Sequence, residues 1–472
     1  MSTPRQSVTI IGAGPGGYEA ALTAAHLGST VHLVESASIG GAAVLTDCVP
    51  SKALIATADF MDRFSAAARI GVQFDGAPQN QGVTAHLDDI NTRVLTLASA
   101  QSADITERLE QAGVELVAGK AVVRDRQTVQ VGERTVRADV ILLATGARPR
   151  VLDSAVPDGE RILTWQQIYT LTELPRHLVV IGSGVTGAEL AHAYLGLGCE
   201  VTLVSSRERV LPGQDVDAAN LLEEVFRRRG MQVLNRSRAA SVERVRAAPG
   251  APSDEQEGVL VTLEDGRTVH GSHALLAVGS LPNTEDLGLL EAGVELTETG
   301  HIEVDRVSRT SVPGIYAAGD CTGKLPLASV AAMQGRVAIA HALGDAVAPL
   351  SLRRVSSNIF TDPEIATVGV SQEEVDEGRV DARVVMLPLT KNPRAKMQNL
   401  RDGFVKLFAR RGSDTILGGV VVAPRASELI FPIALAVSTR LNVDQFAQTF
   451  TVYPSMTGSI SEAARQLHSV SE

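Results

Sequence analysis

The clearest pattern in the chain is a short apolar run, a glycine-rich turn and an alanine-rich helical stretch, in that order. Residues 7–11 form an apolar run of strand length, and the turn GAGPGG (12–17) follows at once. A second apolar run at residues 31–34 ends at Glu35. Runs of this length, bounded by glycine and separated by a helical stretch, predict a βαβ unit.

The same pattern recurs near the middle of the chain. A strand is predicted at residues 178–181, and glycines follow at the same spacing, at Gly182, Gly184 and Gly187. Two such units predict an α/β fold with two dinucleotide-binding sites.

The glycine spacing has a physical reason. In the first unit Gly12 permits a tight turn, Gly14 lets a pyrophosphate approach the backbone, and Gly17 lets helix and strand pack closely. The N-terminus of the helix faces the phosphate charge. Glu35, about 20 residues further on, is placed to accept hydrogen bonds from a ribose diol.

The second unit ends in different chemistry. Ser205, Ser206 and Arg207 stand where the first unit has Glu35. A carboxylate would repel a 2′-phosphate, whereas hydroxyl groups and a guanidinium can bind one. The second site is therefore predicted to accept NADPH, with NADH also possible. The alternative is that Arg207 and Arg209 are solvated surface charges.

Further strand-like stretches end in small or acidic residues. VILLATGARP (140–149) is predicted to hold a buried strand that ends in the turn Ala144-Thr145-Gly146, which has no bulky side chains. ALLAVGSLPN (274–283) is predicted to play the corresponding part at the second site. GIYAAGDCTG (314–323) brings Asp320 to the end of a strand. Its carboxylate either holds a ribityl hydroxyl or caps the helix that follows.

Composition narrows the class of protein. A chain of 472 residues predicts two or three domains. The net charge of -11 argues against a general nucleic-acid binder. No apolar run approaches the roughly 20 residues of a membrane span. Cys48, Cys199 and Cys321 are too few and too scattered for a disulfide framework, and no metal-ligand spacing occurs. A reducing, cytoplasmic location is expected.

Taken together, the ordered motifs carry a resemblance over nearly the whole chain. It resembles the flavin disulfide reductases, the class I pyridine nucleotide-disulfide oxidoreductases that include lipoamide dehydrogenase and glutathione reductase. Besides the two glycine-rich units, the shared motifs are ATGARP, GIYAAGD, P-S-K after Cys48, FTDPEIATVG (360–369), NPRAKM (392–397), GFVKL (403–407) and GGVVVAPRASELI (418–430).

The resemblance implies two Rossmann-like dinucleotide-binding domains plus a C-terminal α+β dimerisation domain. FAD would bind a domain of residues 1–150 and 275–345, NAD(P)H a domain of residues 151–274, and residues 346–472 would form the interface of a homodimer. Within the second domain, residues 246–258 are predicted to form an exposed loop. The cofactor-binding residues implied are Gly12, Gly14, Gly16, Gly17, Glu35, Gly41, Ala42, Lys52, Ala121, Ala144, Thr145, Gly146, Gly182, Gly184, Val185, Thr186, Gly187, Ser205, Ser206, Arg207, Gly279, Asp320 and Ala328.

The departures from the family concern its thiol chemistry. The family reads G-G-T-C-x-N-x-G-C-x-P-S-K where this chain reads GGAAVLTDCVPSK (40–52), so Ala43 replaces one cysteine and Cys48 keeps the other. A redox disulfide needs two thiols within bridging distance. The family's H-P-T-x-S-E also becomes Y-P-S-M-T-G, which puts Tyr453 at the proton-shuttling histidine and Gly458 at its glutamate.

A hydride path remains. The resemblance implies that Lys52 and Glu189 form the ion pair beside the flavin N5, where Lys52 would steady negative charge. The other flavin face would be lined by the region of Ala43 and Cys48 and by the partner subunit's segment around Tyr453. Such a face suits a flat acceptor such as a quinone. Cys48 either modulates the flavin as a thiolate or is a small buried hydrophobe.

Within the family, the chain is most similar to the actinobacterial NAD(P)H quinone reductases, which are often misnamed lipoamide dehydrogenases. The predicted activity is NAD(P)H dehydrogenase (quinone), a flavoprotein oxidoreductase. Three alternatives stay open: a soluble pyridine nucleotide transhydrogenase, a dihydrolipoamide dehydrogenase-like reductase, and a flavin-bearing subunit without turnover.

Overall fold

The computed structural model describes residues 5–72, 83–246 and 257–468. The predicted loop at 246–258 falls almost wholly outside these ranges. Up to residue 150 the elements are β1 (Ser7–Ile11), α1 (Pro15–His26), β2 (Thr30–Glu35), α2 (Gly41–Leu45), α3 (Cys48–Ala66), α4 (Leu87–Gln111), β3 (Glu115–Ala118), β4 (Ala121–Asp125), β5 (Thr128–Val131), β6 (Arg134–Arg137), β7 (Val140–Leu143) and β8 (Ala147–Pro149).

The middle of the chain repeats the order of strand, helix and strand. Its elements are β9 (Ile162–Thr164), β10 (His177–Ile181), α5 (Val185–Gly196), β11 (Glu200–Val204), α6 (Val216–Arg228), β12 (Gln232–Leu234), β13 (Ala239–Arg246), β14 (Glu257–Leu263), β15 (Thr268–Gly271), β16 (His273–Leu276), β17 (Ser280–Pro282), β18 (Ile315–Ala317) and α7 (Ala328–Ala342).

The last part of the chain joins an antiparallel sheet to short helices. Its elements are β19 (Ser356–Ile359), β20 (Glu364–Gly369), α8 (Gln372–Asp376), β21 (Ala382–Pro388), α9 (Pro393–Met397), β22 (Phe404–Arg410), β23 (Ile416–Ala423), α10 (Ala426–Leu429), α11 (Phe431–Thr439), α12 (Val443–Ala447) and α13 (Thr457–Leu467).

One compact unit comprises Met1–Ser51, Asn91–Arg150 and Gly279–Ser351. Its main sheet is parallel, in the order β3-β2-β1-β7-β18. The four residues of β7 are all buried, which explains their unbroken apolar sequence. Helices α1 and α7 meet at glycines, because a Cβ on Gly335 would lie 2.1 Å from the carbonyl oxygen of Gly16.

The other compact unit comprises Lys52–Ile90, Val151–Val278 and Leu352–Glu472. It contains a second parallel sheet of the same plan, β12-β11-β10-β16-β9, and an antiparallel sheet, β19-β20-β23-β22-β21. Helices α11 and α13 cover the antiparallel sheet, where Leu407 and Val421 pack with Ile433 and Ile460.

This architecture confirms the predicted fold class, and the domain boundaries stay a prediction. Within the described ranges no helix is long and apolar enough to cross a membrane.

Candidate functional site

The first glycine-rich turn is held by backbone hydrogen bonds at the end of β1. The Gly12 N–H donates to the Val34 carbonyl at 2.8 Å, and Gly12 has a φ of 99°. A Cβ on Gly12 would lie 2.3 Å from the Ala144 carbonyl oxygen, and a Cβ on Gly17 would lie 1.8 Å from that of Gly12. Both positions therefore require glycine.

Glu35 lies beside this turn, as predicted from its place after the second strand. One carboxylate oxygen accepts the Ala13 N–H at 2.8 Å, and the other accepts the N–H groups of Ser36 and Ala37 at 2.7 and 2.8 Å. Three charge-assisted bonds hold the carboxylate in one orientation. Its position suits hydrogen bonds from a ribose diol.

Space for a pyrophosphate lies in front of helix α1. A Cβ on Gly14, the residue before the helix, would meet no atom within 4 Å, although Gly41 packs closely enough that its own Cβ would lie 2.7 Å from the Gly14 Cα. The helix N-terminus thus faces open space bounded by glycine, an arrangement that binds phosphate. The first unit fits the dinucleotide part of FAD.

Asp320 follows β18 and begins a single turn of 3₁₀ helix. Burial raises the pKa of its carboxyl. Within the described ranges, no side chain or N–H group donates a hydrogen bond to that carboxylate. A half-buried acceptor of this kind fits a ribityl hydroxyl.

Gln334 supports the Asp320 turn and was not predicted. Its amide oxygen accepts the Gly319 N–H at 2.9 Å, and its amide nitrogen lies 3.3 Å from the Thr322 hydroxyl. The sequence signal is a lone glutamine within the apolar helix α7, where a buried amide needs partners.

The ATG turn and the strand β17 meet in the first unit. The Thr145 hydroxyl donates to the Asn283 carbonyl at 2.6 Å, and the Asn283 amide donates to the Thr145 carbonyl at 2.9 Å. Gly146 and Gly279 have φ values of 68° and 94°. The stretch 274–283 therefore divides: β16 belongs to the second sheet, and β17 pairs with β8 of the first unit.

The remaining small residues have mixed positions. Gly16 packs against Ala318, Ala42 lies half-buried in α2, and Ala328 begins α7. Ala121 is buried in the apolar core under β4, so its side chain faces that core.

The second glycine-rich turn reproduces the first. The Gly182 N–H donates to the Val204 carbonyl at 3.0 Å, and Cβ atoms on Gly182 and Gly187 would lie 2.2 and 1.9 Å from the carbonyl oxygens of Ala277 and Gly182. A Cβ on Gly184 would meet no atom within 4 Å. Helix α5 begins directly afterwards, with Val185 and Thr186 as its first residues.

The structure places Ser205 beneath the following loop and not on its surface. Ser205 is fully buried, its hydroxyl lies 2.7 Å from that of Ser183, and it accepts the Arg207 N–H at 3.2 Å. The expectation that the Ser205 hydroxyl contacts a 2′-phosphate is thus replaced by a role in shaping the loop. Ser206 and Arg207 are exposed.

Lys52 and Glu189 form the predicted ion pair within the second unit. Their charged atoms are 2.8 Å apart, and Glu189 is only 2% exposed. The other Glu189 oxygen accepts the Phe360 N–H at 2.9 Å, and the Phe360 ring centroid lies 5.1 Å from the Lys52 ammonium. A buried carboxylate needs such partners. The contacts of Phe360 were not predicted, because the motif FTDPEIATVG does not indicate which residues it packs against.

A second charged group joins α3 to α5. The buried His192 Nε2 lies 3.2 Å from Asp59, its Nδ1 lies 3.1 Å from the Arg229 guanidinium, and Arg229 also pairs with Asp62. The ligand-type atoms of the two aspartates and the histidine lie within 4.8 Å of one another, a grouping that the spacing in sequence did not predict. Arg229 supplies the positive charge in this cluster.

The three cysteines form no disulfide. Burial raises the pKa of Cys199 to about 12 and that of Cys321 to about 11, so both stay protonated at neutral pH. Cys48 is half-buried at the start of α3.

The segment before α13 carries exposed aromatic side chains. Tyr453 is 81% exposed, and Phe450 and Val452 are also exposed. The Asn392 amide anchors this segment by donating to the Ser455 carbonyl at 3.0 Å.

Comparison with known proteins places these features in a family. Residues 6–335 match the pyridine nucleotide-disulphide oxidoreductases, and residues 355–464 match the dimerisation domain of the same family, which indicates a homodimer.

Two relatives extend the match over nearly the whole chain. The chain is 53% identical to an NAD(P)H dehydrogenase (quinone) of Mycobacterium tuberculosis, over 98% of this chain and 93% of the relative. It is 31% identical to a dihydrolipoyl dehydrogenase of Geobacillus stearothermophilus, over 96% and 94%.

Among solved structures, LpdA from Mycobacterium tuberculosis matches with 51% identity and a TM-score of 0.91, over 98% of this chain and 100% of that chain. The chain therefore belongs to the class I pyridine nucleotide-disulphide oxidoreductases, a family of FAD- and NAD(P)-dependent flavoprotein oxidoreductases.

Proposed function

We propose that this protein is an NAD(P)H:quinone oxidoreductase that works without a redox-active disulfide. The observation that carries the proposal is Ala43, which stands where the family has the first cysteine. The high pKa values of Cys199 and Cys321 argue against either thiol as a substitute. The relative named NAD(P)H dehydrogenase (quinone) supports the same reaction.

The first unit is proposed to hold FAD through its glycine-rich turn, with Glu35 on the ribose and Asp320 on the ribityl chain. FAD, when bound, supplies the carrier that accepts a hydride from NAD(P)H and passes two electrons to the quinone. In the balanced reaction NAD(P)H, one proton and a quinone give NAD(P)⁺ and a hydroquinone.

Lys52 is proposed to place a positive charge beside the flavin ring, with Glu189 fixing the lysine. The ion pair with Glu189 at 2.8 Å and the contact with the Phe360 ring fix the position of the Lys52 ammonium. Because the positive charge is already in position, no reorganisation of the protein is needed when negative charge develops on the flavin. Cys48 and, across a homodimer, Tyr453 of the other subunit are proposed to line the acceptor face.

The second unit is proposed to bind NAD(P)H with a preference for NADPH. The glycine-rich turn and the start of α5 would receive the pyrophosphate. Exposed Ser206 and Arg207 offer the donors for a 2′-phosphate, and no carboxylate stands in the place of Glu35 to repel it.

The test is steady-state oxidation of NADPH by the purified FAD-loaded protein with three acceptors: a benzoquinone, oxidised lipoamide and a nicotinamide analogue. Fast turnover with the quinone alone is expected. Cys48→Ser should keep quinone turnover within about tenfold, because no thiol carries the electrons. Tyr453→Ala should raise the KM for the quinone and leave flavin reduction by NADPH intact.

Turnover with lipoamide, or loss of quinone turnover in Cys48→Ser to background, would contradict the proposal. A preference for the nicotinamide analogue would instead indicate a transhydrogenase.

A further inference from the structure

The turn after β12 brings another exposed arginine to the nucleotide loop of the second unit. The Arg236 N–H donates to the Arg207 carbonyl at 2.8 Å, and the Ser237 N–H donates to the Ser205 carbonyl at 2.8 Å. Arg236 has a φ of 52°, and its side chain is 75% exposed. Two backbone bonds therefore hold Arg236 beside the loop that follows β11.

A carboxylate of the same loop, that of Glu208, forms an ion pair with this arginine. One oxygen of Glu208 lies 2.6 Å from the Arg236 guanidinium, and the other lies 3.6 Å from that of Arg209. The Arg236 guanidinium lowers the pKa of Glu208, so the carboxylate is ionised at neutral pH. Guanidinium groups bind carboxylate and phosphate in the same planar way.

The contact is also easy to exchange. Glu208 is 62% exposed, and exposed ion pairs are weak because water screens them and their side chains lose entropy. A phosphate carries more charge and more acceptor oxygens than a carboxylate, so it competes well for the same donors.

We propose that Arg236 is a specificity-determining residue of the second nucleotide site and that Glu208 is its exchangeable counter-ion. The proposal rests on the proposed function, since it assumes that NAD(P)H binds at the second turn. The 2′-phosphate of NADPH takes the place of the Glu208 carboxylate on Arg236 and Arg209. With NADH the carboxylate stays paired with both arginines, so one loop serves both nucleotides.

The experiment measures binding of 2′,5′-ADP and of 5′-AMP to the FAD-loaded protein by calorimetry. In Arg236→Ala the affinity for 2′,5′-ADP should fall about tenfold relative to that for 5′-AMP, because a charge-assisted phosphate contact is lost. In Glu208→Gln the discrimination should rise several-fold, since a competing anion is gone. In the double variant the gain from Glu208→Gln should be much smaller than in the parent protein, because the carboxylate acts mainly through Arg236 and only its longer contact to Arg209 remains.

Arg238→Ala is the matched control. Arg238 lies two residues further along, is 64% exposed and faces Glu264 at 3.7 Å. Its loss should leave the ratio of the two affinities unchanged.

Equal changes for both ligands in Arg236→Ala, or full additivity in the double variant, would overturn the proposal. Binding is measured without an acceptor. Failure of quinone turnover would thus count against the proposed function alone, and unaltered discrimination would count against the role of Arg236 alone.

Discussion

The two glycine-rich turns share one backbone plan. In each turn the first glycine donates its N–H to a carbonyl near the end of the neighbouring strand, from Gly12 to Val34 at 2.8 Å and from Gly182 to Val204 at 3.0 Å. Each turn also leaves open space before a helix N-terminus. The shared geometry serves what the two dinucleotides have in common, a pyrophosphate.

The residues just beyond that geometry differ. In the first unit the Ala13 N–H donates to the Glu35 carboxylate at 2.8 Å, whereas in the second unit the Ser183 and Ser205 hydroxyls lie 2.7 Å apart. A carboxylate at the first site suits hydrogen bonds from a ribose diol, and its replacement at the second removes a negative charge. The comparison teaches that two turns of one backbone plan differ in the pair of residues beside them, and we expect this pair to contribute to the choice of ribose at each turn.

The largest expected effect on stability comes from adding a methyl group at the two glycines that pack most closely against backbone. In Gly17→Ala and Gly187→Ala the new Cβ would lie 1.8 and 1.9 Å from the carbonyl oxygens of Gly12 and Gly182. Each change should cost about 3 kcal/mol or more of unfolding free energy, since backbone must move. Gly17→Ala should lose FAD, and Gly187→Ala should keep FAD and lose reduction by NADPH. Flavin absorbance and urea unfolding measure both.

Gly14→Ala and Gly184→Ala are the matched controls, because their Cβ atoms would meet no atom within 4 Å. They should unfold like the parent protein and still bind their dinucleotides more weakly. An equal loss of stability in all four variants would show that the glycines needed for backbone packing cannot be told apart from those that leave room for the phosphate.

A smaller effect should follow from giving the second turn the chemistry of the first. The double substitution Ser183→Ala and Ser205→Glu recreates the pair of Ala13 and Glu35. The ratio of kcat/KM for NADPH to that for NADH should fall about tenfold or more, because the new carboxylate repels the 2′-phosphate. Ser183→Ala alone is the control for loss of the hydroxyl pair. An unchanged ratio in the double variant would show that Ser205 lies too deep to act on the ribose.

Local features of the site could be predicted from the sequence. The turns at Gly12 and Gly182 follow from apolar runs next to fixed glycine spacings, which act over short distances along the chain. The pairing of Lys52 with Glu189 was available only through resemblance, since no spacing connects residues so far apart.

Features that depend on packing between distant segments could not be predicted. Ser205 was expected to offer its hydroxyl to a 2′-phosphate, but the residue is buried, with its carbonyl accepting the Ser237 N–H and its hydroxyl 2.7 Å from that of Ser183. Arg236 and Phe360 reach their sites in the same way, through backbone hydrogen bonds to Arg207 and to Glu189. No local pattern encodes such contacts.

The smallest effect concerns a carboxylate that only the first unit has. Asp320 lies three residues after β18, whereas Gln167 lies three residues after β9, the corresponding strand of the second sheet. Burial raises the pKa of Asp320 above its unfolded value, so the folded protein binds the proton more tightly. The unfolding free energy of FAD-free protein should therefore fall as pH rises from about 4 through the raised pKa, and then level off.

Asp320→Asn should remove this slope, and urea unfolding of FAD-free protein between pH 4 and pH 8 measures it. The same variant should bind FAD about tenfold more weakly, because a neutral amide is a poorer acceptor for a hydroxyl.

Asp305→Asn is a control in the same unit, for which the pH dependence of stability has the opposite sign. Burial alone would raise the pKa of Asp305, but hydrogen bonds from the Arg309 N–H and guanidinium lower it. Its stabilisation is therefore present at neutral pH and lost as pH falls through the lowered pKa. If Asp320→Asn and Asp305→Asn change the pH slope of the unfolding free energy in the same direction, the Asp320 carboxylate has a hydrogen-bond donor within the protein. Its proposed role as the acceptor for a ribityl hydroxyl would then be contradicted.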